Sequence, residues 1–403
     1  MRPLIAALLL LLALPVRAEI TLGLTAPAWA GWEEGLAAYE RGDYATALRE
    51  WRPLAEQGHA EAQFKLGVMY FNGHGVALDI AEALKWLWKA ADQGHARAQD
   101  VSGLLVGGLN FAGAQHNLAF LYARGGQGLA QDYAEAAKWY RLAAEQGHAK
   151  AQFKLGVMYD NGQGVTQDYA EALQWYRKAA EQGYADAQAN LGFMYEKGKG
   201  VSQDYAEAAK WYRRAADQRI ALAQAKIGDM YFDGQGVPQD YGEAVKWFRK
   251  AADQGIAIAQ FNLGGMYAEG QGVPQDYGEA AKWLRKAAEQ GHVDAQNNLG
   301  TMYFKGQGLP QDSSEAVKWF ILAAEQGDAV AQVNLGAMYA KGQGAPQDFI
   351  QAFTWFYIAA AKESERGAAY RDFAAKELNP SQITKAQTMA QEWMAAFEKR
   401  KKK

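Results

Sequence analysis

Apolar side chains recur along this chain in two alternating helical patterns. Between Ala257 and Gly291, Ala259, Leu263, Met266 and Tyr267 fall at i, i+4, i+7 and i+8, one stripe of an α-helix, here called helix A. Gly264, beside Leu263, leaves room for a neighbouring helix to come close. Gly270 ends helix A, and Gly272, Val273 and Pro274 make a turn. Asp276 is placed to cap a second helix, with Glu279 predicting a capping box, and Tyr277 opens a second apolar stripe. That stripe, helix B, runs through Ala280, Ala281, Leu284 and Ala287 and stops at Gly291.

The pair repeats. Trp139, Trp175, Trp211, Trp247, Trp283, Trp319 and Trp355 are each 36 residues apart, and Tyr159, Tyr195, Tyr231, Tyr267, Tyr303 and Tyr339 keep the same step. One unit cannot fold alone. Ordering it costs roughly 1 to 2 kcal/mol per residue in backbone entropy, while a buried Trp or Tyr returns only about 4 to 6 kcal/mol. Stacked units share a continuous core and need caps at the ends. The expected fold is all-α: a right-handed α-solenoid, a superhelix of antiparallel helix pairs with a 36-residue repeat.

The unit pattern Ala-x-Ala-Gln-x-x-Leu-Gly-x-Met-Tyr-x-x-Gly-x-Gly-Val-x-x-Asp-Tyr-x-Glu-Ala-x-x-Trp resembles the Sel-one-like repeat, a subfamily of the tetratricopeptide superfamily. It occurs at Ala60, from Ala114, and from Ala149, Ala185, Ala221, Ala257, Val293 and Ala329, so eight units are expected over residues 60–363. Residues 35–59, with Gly42-Asp43-Tyr44 and Ala47, resemble a shorter tetratricopeptide-type unit. Residues 364–398 are expected to form C-terminal capping helices, the last opened by the cap Asn379-Pro380-Ser381-Gln382 and running through Trp393. Residues 399–403 form a basic tail.

Two places break the rhythm. Ala98-Gln99 is followed too soon by Ala114-Gln115, so an irregular insertion at about residues 100–113 resembles a helix A whose partner helix B is missing. Its apolar run, Leu104 to Phe111, reads as a kink in the array, as an exposed loop offered to a partner, or as damage without a role. Arg219 stands where other units have the helix-ending glycine, which predicts a local cost of about 1 kcal/mol and a longer helix B. An added residue at Gly125-Gly126 reads as a loop insertion.

At the amino terminus, the apolar run Leu4 to Val16 behind Arg2 predicts a secretory signal peptide over residues 1–18, cleaved after Ala18 or, alternatively, after Ala30. The run is short for a membrane span. Residues 19–34 are expected to be a linker. The protein is therefore expected in the periplasm or outside the cell, most simply in a bacterial envelope, with no transmembrane segment in the mature chain.

Composition narrows the chemistry. With 49% hydrophobic residues the chain has material for a long core, and with 43 glycines against 9 prolines the glycines look structural. No cysteine is present, which removes disulfides, thiolate catalysis and thiolate metal sites. A formal charge of -3 gives no general attraction to nucleic acid. His59, His95, His148 and His292 share one repeat position after the closing glycine, a ladder rather than a convergent zinc site. Six serines lie outside any nucleophile motif, and Gly234-Gln235-Gly236 lacks the strand and Lys-Ser/Thr of a phosphate loop. Neither a cofactor nor a metal is expected.

One ladder carries candidate chemistry. Immediately before the helix A leucine or its equivalent stand Lys65, Asn117, Lys154, Asn190, Lys226, Asn262, Asn298 and Asn334. In tetratricopeptide arrays helix A lines the concave face, where Lys and Asn hold a peptide's carboxylates and backbone, so the resemblance implies a peptide-gripping ladder. Phe64, Phe153, Ala189, Ala225, Phe261, Asn297 and Val333 beside it are then expected to tune specificity. The other reading is that the ladder ties adjacent units together. The leading expectation is a monomeric, exported scaffold or adaptor that binds a protein or peptide and is not an enzyme. Two alternatives stand beside it: an envelope spacer without a ligand, and an enzyme acting on cell-wall or β-lactam compounds. The last comes from activities assigned to secreted relatives that, unlike this chain, are rich in cysteine.

Overall fold

The computed structural model describes residues 31–77, 79–96, 98, 111–125 and 131–401. The expected signal peptide, most of the irregular insertion, the loop at 126–130 and residues 402–403 lie outside the described residues. Among the described residues every regular element is an α-helix, and there are twenty. They form two compact units, residues 1–203 and 204–403. The first holds α1 (Trp32–Glu40), α2 (Tyr44–Glu56), α3 (Ala60–Asn72), α4 (Ile80–Asp92), α5 (Phe111–Arg124), α6 (Tyr133–Glu145), α7 (Ala149–Asn161), α8 (Tyr169–Glu181) and α9 (Ala185–Lys197). The second holds α10 (Tyr205–Asp217), α11 (Ala221–Asp233), α12 (Tyr241–Asp253), α13 (Ala257–Glu269), α14 (Tyr277–Glu289), α15 (Val293–Lys305), α16 (Ser313–Glu325), α17 (Ala329–Lys341), α18 (Phe349–Ala360), α19 (Glu365–Ala375) and α20 (Pro380–Lys401).

The repeat at Ala257 shows why these residues make this fold, an all-helical solenoid of two-helix repeats. Leu263, Met266 and Tyr267 of α13 are buried in one cluster with Phe248 of α12 and with Trp283 and Leu284 of α14. Any side chain in place of Gly264 would put its Cβ 2.8 Å from Cγ of Leu284, so α13 and α14 touch where the glycine stands. Gly270 ends α13 at φ 70°, and Gln271 N–H closes on the Met266 carbonyl at 2.9 Å. Gly272 has a further reason to be glycine: its Cβ would collide with the backbone of Tyr241 at the start of the preceding helix B.

The capping box expected at Asp276 forms only by half. Its carboxylate accepts from Glu279 N–H at 3.0 Å, but its own N–H donates to the Tyr267 carbonyl at 2.9 Å. The Glu279 carboxylate turns instead to Lys282 Nζ at 2.6 Å. At α20 the box closes in both directions: Gln382 N–H donates to Asn379 Oδ1 at 3.0 Å and Asn379 N–H to Gln382 Oε1 at 2.9 Å.

Repeats are latched by buried glutamines of helix A. Gln260 is 4% exposed; its Nε2 donates to the Ala252 carbonyl of the preceding helix B at 3.0 Å, and its Oε1 accepts from Gln290 Nε2 at 2.7 Å. The same double bond is made by Gln63 and Gln152 in the first unit and by Gln224 and Gln296 in the second. A second latch runs from helix B to the next helix A, where Arg177 donates to the Tyr195 hydroxyl at 2.6 Å and Arg285 to that of Tyr303 at 2.6 Å.

Two expectations are corrected. Residues 32–34 belong to α1 rather than to a linker, because the Trp32 ring stacks on Trp51 at 5.5 Å and its carbonyl accepts from Trp51 Nε1 at 3.3 Å. The helix B before Arg219 is not longer: α10 ends at Asp217 after 13 residues, as long as α12. Arg219 itself takes the left-handed conformation at φ 68°, where Gly255 has φ 88°, and makes the same bond back to the helix, to the Ala216 carbonyl at 2.9 Å. At the carboxyl end, Phe353 and Phe356 of α18 are buried with Val333 and Ala386, and Trp355 meets Trp393 of α20 edge-on at 5.7 Å.

Candidate functional site

Helix A places the Lys/Asn ladder one residue before its buried leucine, at the margin of the core. Asn117 and Asn298 are exposed, and Lys65, Lys154, Asn190, Lys226, Asn262 and Asn334 are half-buried. Several are already engaged inside the protein. Asn262 Nδ2 donates to Asp229 Oδ1 of the preceding helix A at 3.1 Å, and Asn334 Nδ2 to Asn297 Oδ1 at 3.0 Å. Asn190 lies near the hydroxyl of Tyr176, whose pKa burial pushes up. Asn117 Oδ1 lies 3.2 Å from His116 Nδ1. Among the cations, Lys65 sits 5.8 Å from the ring centre of Tyr39 and Lys154 5.7 Å from that of Phe153.

None of the residues expected to tune specificity beside the ladder is fully exposed, and Phe153, Ala189, Phe261 and Asn297 are half-buried. Phe64, Ala225 and Val333 are buried. Phe64 stacks on His95 at 4.7 Å, Phe261 on His292 at 4.5 Å, and Phe153 meets Tyr184 at 5.2 Å. Each of these aromatic contacts reaches the residue just before the next helix A. The position next to a buried leucine is close enough to the core for a large apolar side chain to find a partner there.

The variable surface lies three residues further along helix A, a position the sequence reading passed over. Phe120 is 45% and Phe193 37% exposed, with half-buried Val157 at the same position in the repeat between them. A cavity of about 190 Å³ opens between α5, α6 and α7, lined among others by Phe120, Arg124, Tyr133, Tyr140, Lys154 and Val157. Lys199 lies 5.5 Å from the Phe193 ring and 4.7 Å from that of Tyr169. The apolar residues Val68, Phe120, Val157 and Phe193 at this position are visible in the sequence, but the exposure of Phe120 and Phe193 is not.

The repeated histidines cap helices. Nδ1 of His59, His148 and His292 accepts from the backbone N–H three residues on, at 3.1 to 3.3 Å, so each must keep that lone pair. Burial holds all three below the ordinary histidine range, with Lys150 adding to the effect at His148. His116 differs: burial pushes it down to about 4, against a weaker opposing hydrogen bond to Asn117, and its buried Nε2 has no partner among the described residues. No group of three or more His, Asp or Glu that could hold a metal ion occurs among the described residues, and none of their helices is long and apolar enough to cross a membrane.

Eight segments of the chain match the Sel1 repeat: residues 60–95, 112–148, 149–184, 185–219, 221–256, 257–292, 293–328 and 329–364. The second begins at residue 112, two residues before Ala114. A Sel1 repeat protein of Oxalobacter formigenes is 32% identical, with a TM-score of 0.59 over 92% of this chain and 99% of that one. A protective antigen of uropathogenic Escherichia coli is also 32% identical, with a TM-score of 0.48 over 93% of this chain and 94% of that one. The exopolysaccharide production negative regulator of Rhizobium leguminosarum bv. viciae is 31% identical over 127 residues, 31% of this chain and 45% of the relative. The chain therefore spans less than half the length of that relative. Proteins built from these repeats are generally protein-interaction scaffolds and typically not enzymes. With eight matching repeats and helix pairs that follow them, the chain belongs to the Sel1 repeat family.

Proposed function

We propose that the protein is an exported adaptor that binds a protein or peptide partner on the helix A side of its repeats. The observation that carries this reading is the division of labour within the repeat. Buried glutamines, alanines and leucines of helix A are used up in joining helices, whereas the ladder position, always Lys or Asn, stands at the rim and is exposed at Asn117 and Asn298. Lys and Asn there suit the carboxylates and backbone of a peptide. The name of the rhizobial relatives agrees with an action through regulation, which a binding surface can deliver without chemistry of its own.

A second reading is favoured by a specific observation. The bonds from Asn262 to Asp229 and from Asn334 to Asn297 tie the ladder across neighbouring repeats, as a spacer without ligand would require. The two readings separate in one experiment. The full chain and a variant with alanine at Lys154, Asn190, Lys226, Asn262 and Asn298 are used to capture partners from envelope extract and culture medium. An adaptor loses at least tenfold of its recovered partner while circular dichroism shows unchanged helicity. Equal recovery by both proteins removes the ladder from the binding face. Export is checked on the same material: the mature chain is expected to begin at Glu19, and a chain retaining Met1 to Ala18 contradicts it.

A further inference from the structure

The two compact units differ at one helix A position, three residues after the ladder. In the first unit it is filled by Val68, Phe120, Val157 and Phe193, and in the second by Asp229, Gly265, Thr301 and Ala337. Four repeats in a row with a large apolar residue are followed by four with a small or polar one. Val68 is buried, but Phe120 and Phe193 leave 45% and 37% of their surface in water. A phenylalanine left partly in water forgoes part of the stabilisation that full burial would return. Two at the same repeat position, with Val157 between them, make a row rather than isolated surface residues.

The surroundings of that row state the chemistry of what would cover it. Beside Phe120 the cavity of about 190 Å³ has room for one side chain of ordinary size, with the Tyr133 and Tyr140 rings on its wall and Arg124 and Lys154 among its lining. Beside Phe193, the Lys199 ammonium lies over the ring. The carboxylates of the neighbouring helix A positions are taken: Asp160 accepts from the Tyr176 hydroxyl at 3.4 Å, and Glu196 pairs with Lys197 at 2.7 Å. Neither Arg124, Lys154 nor Lys199 is found in an ion pair among the described residues; Arg124 is exposed, and Lys154 and Lys199 are half-buried beside the apolar row.

We infer that the first unit, residues 1–203, carries an anchor site at Phe120, Val157 and Phe193 for a peptide segment in which an apolar side chain is flanked by Asp or Glu. The apolar side chain enters the cavity beside Phe120, and the flanking carboxylates meet Arg124, Lys154 and Lys199. Attraction of carboxylate to guanidinium and ammonium orients the segment, while burial of the anchor supplies most of the affinity. The second unit, with Asp229, Gly265, Thr301 and Ala337 at the same position, lacks the apolar row, although Lys226 stands at the repeat position of Lys154. This inference rests on the adaptor reading and narrows it to one unit and one class of peptide.

A displayed library of random 12-residue peptides, selected on the immobilised full chain, tests it. Three variants are selected in parallel: F120S/F193S, R124E/K199E, and Thr301→Ala as a control at the same repeat position of the second unit. The ladder is intact in all of them, and circular dichroism melts establish that each is folded. The expected peptides carry an aromatic or branched apolar residue with Asp or Glu within about two positions. Their affinity by fluorescence anisotropy falls at least tenfold on both first-unit variants, weakens with salt, and is unchanged on the control. Enrichment of basic or uncharged peptides, equal binding to the variants, or no enrichment at all overturns the anchor site. Capture of a whole partner through the Lys/Asn ladder would then still stand, so the two failures are distinct.

Discussion

Arg219 does in the second unit what glycine does at Gly255, Gly291 and Gly327, and the helix before it ends at the same place. The left-handed conformation costs a side chain with a Cβ about 1 kcal/mol or more relative to glycine. Arg219→Gly is therefore expected to stabilise the protein by about 0.5 to 1 kcal/mol, after allowing for the greater freedom of glycine when unfolded. A denaturant midpoint that falls in the variant contradicts it. The histidines set the response to acid. An unfolded histidine titrates near 6.5, whereas burial holds His59, His148 and His292 below that and His116 at about 4. Between those values the unfolded chain binds more protons, so the stability these groups contribute is present above pH ~6.5 and lost as pH falls through the folded values. The urea midpoint should drop between pH 7.5 and pH 5, and His116→Phe, which puts in the residue of Phe64, Phe153 and Phe261, should flatten that drop. A midpoint independent of pH in the parent protein contradicts the assignment. His148, Lys150 and Lys154 disfavour charge on His116 and add to the effect of burial.

Between helices the glutamine latch is the test of how repeats are joined. Gln260→Ala removes the bonds to Ala252 and Gln290 and leaves a buried carbonyl without its donor, a loss of about 1 to 3 kcal/mol. Gln290→Ala, on the exposed partner, should cost well under half of that, and equal effects would contradict the latch. In the last repeat the partner position holds Lys362, which donates instead to the Gly327 carbonyl at 2.6 Å. Gln332 Oε1 is left buried with no partner among the described residues, and Lys362 packs its ammonium 4.8 Å from the Phe397 ring centre of α20. Helix stripes, stops and caps could be read from spacing because they depend on residues near in sequence. The latch could not: a glutamine in a helix reads as solvated, and only its burial between two helices B reveals its role. For the same reason Glu279 was read as a capping partner, when the Tyr267 carbonyl 9 residues earlier had already taken the Asp276 N–H. Phe153 and Phe261, expected to tune specificity, meet the Tyr184 and His292 rings instead, contacts that the spacing within one unit does not reveal.

Across the whole molecule, the repeat itself was the most legible feature, since a 36-residue period in Trp and Tyr admits few other folds. The binding face was legible only in part. The Lys/Asn ladder stands out in the sequence, yet the structure uses Asn262 and Asn334 between repeats, and it exposes Phe120 and Phe193, which an apolar-equals-core rule places inside. Exposure of this kind depends on the curvature and spacing of neighbouring helices, which no single unit of sequence encodes. Binding on the helix A side, the central claim, is tested most directly by hydrogen exchange with mass spectrometry on the full chain, with and without a captured partner. The account predicts added protection in α5, α7 and α9 of the first unit and little change in α6, α8, α12 and α14. Protection confined to the helices B or to α20, or none anywhere, would contradict it.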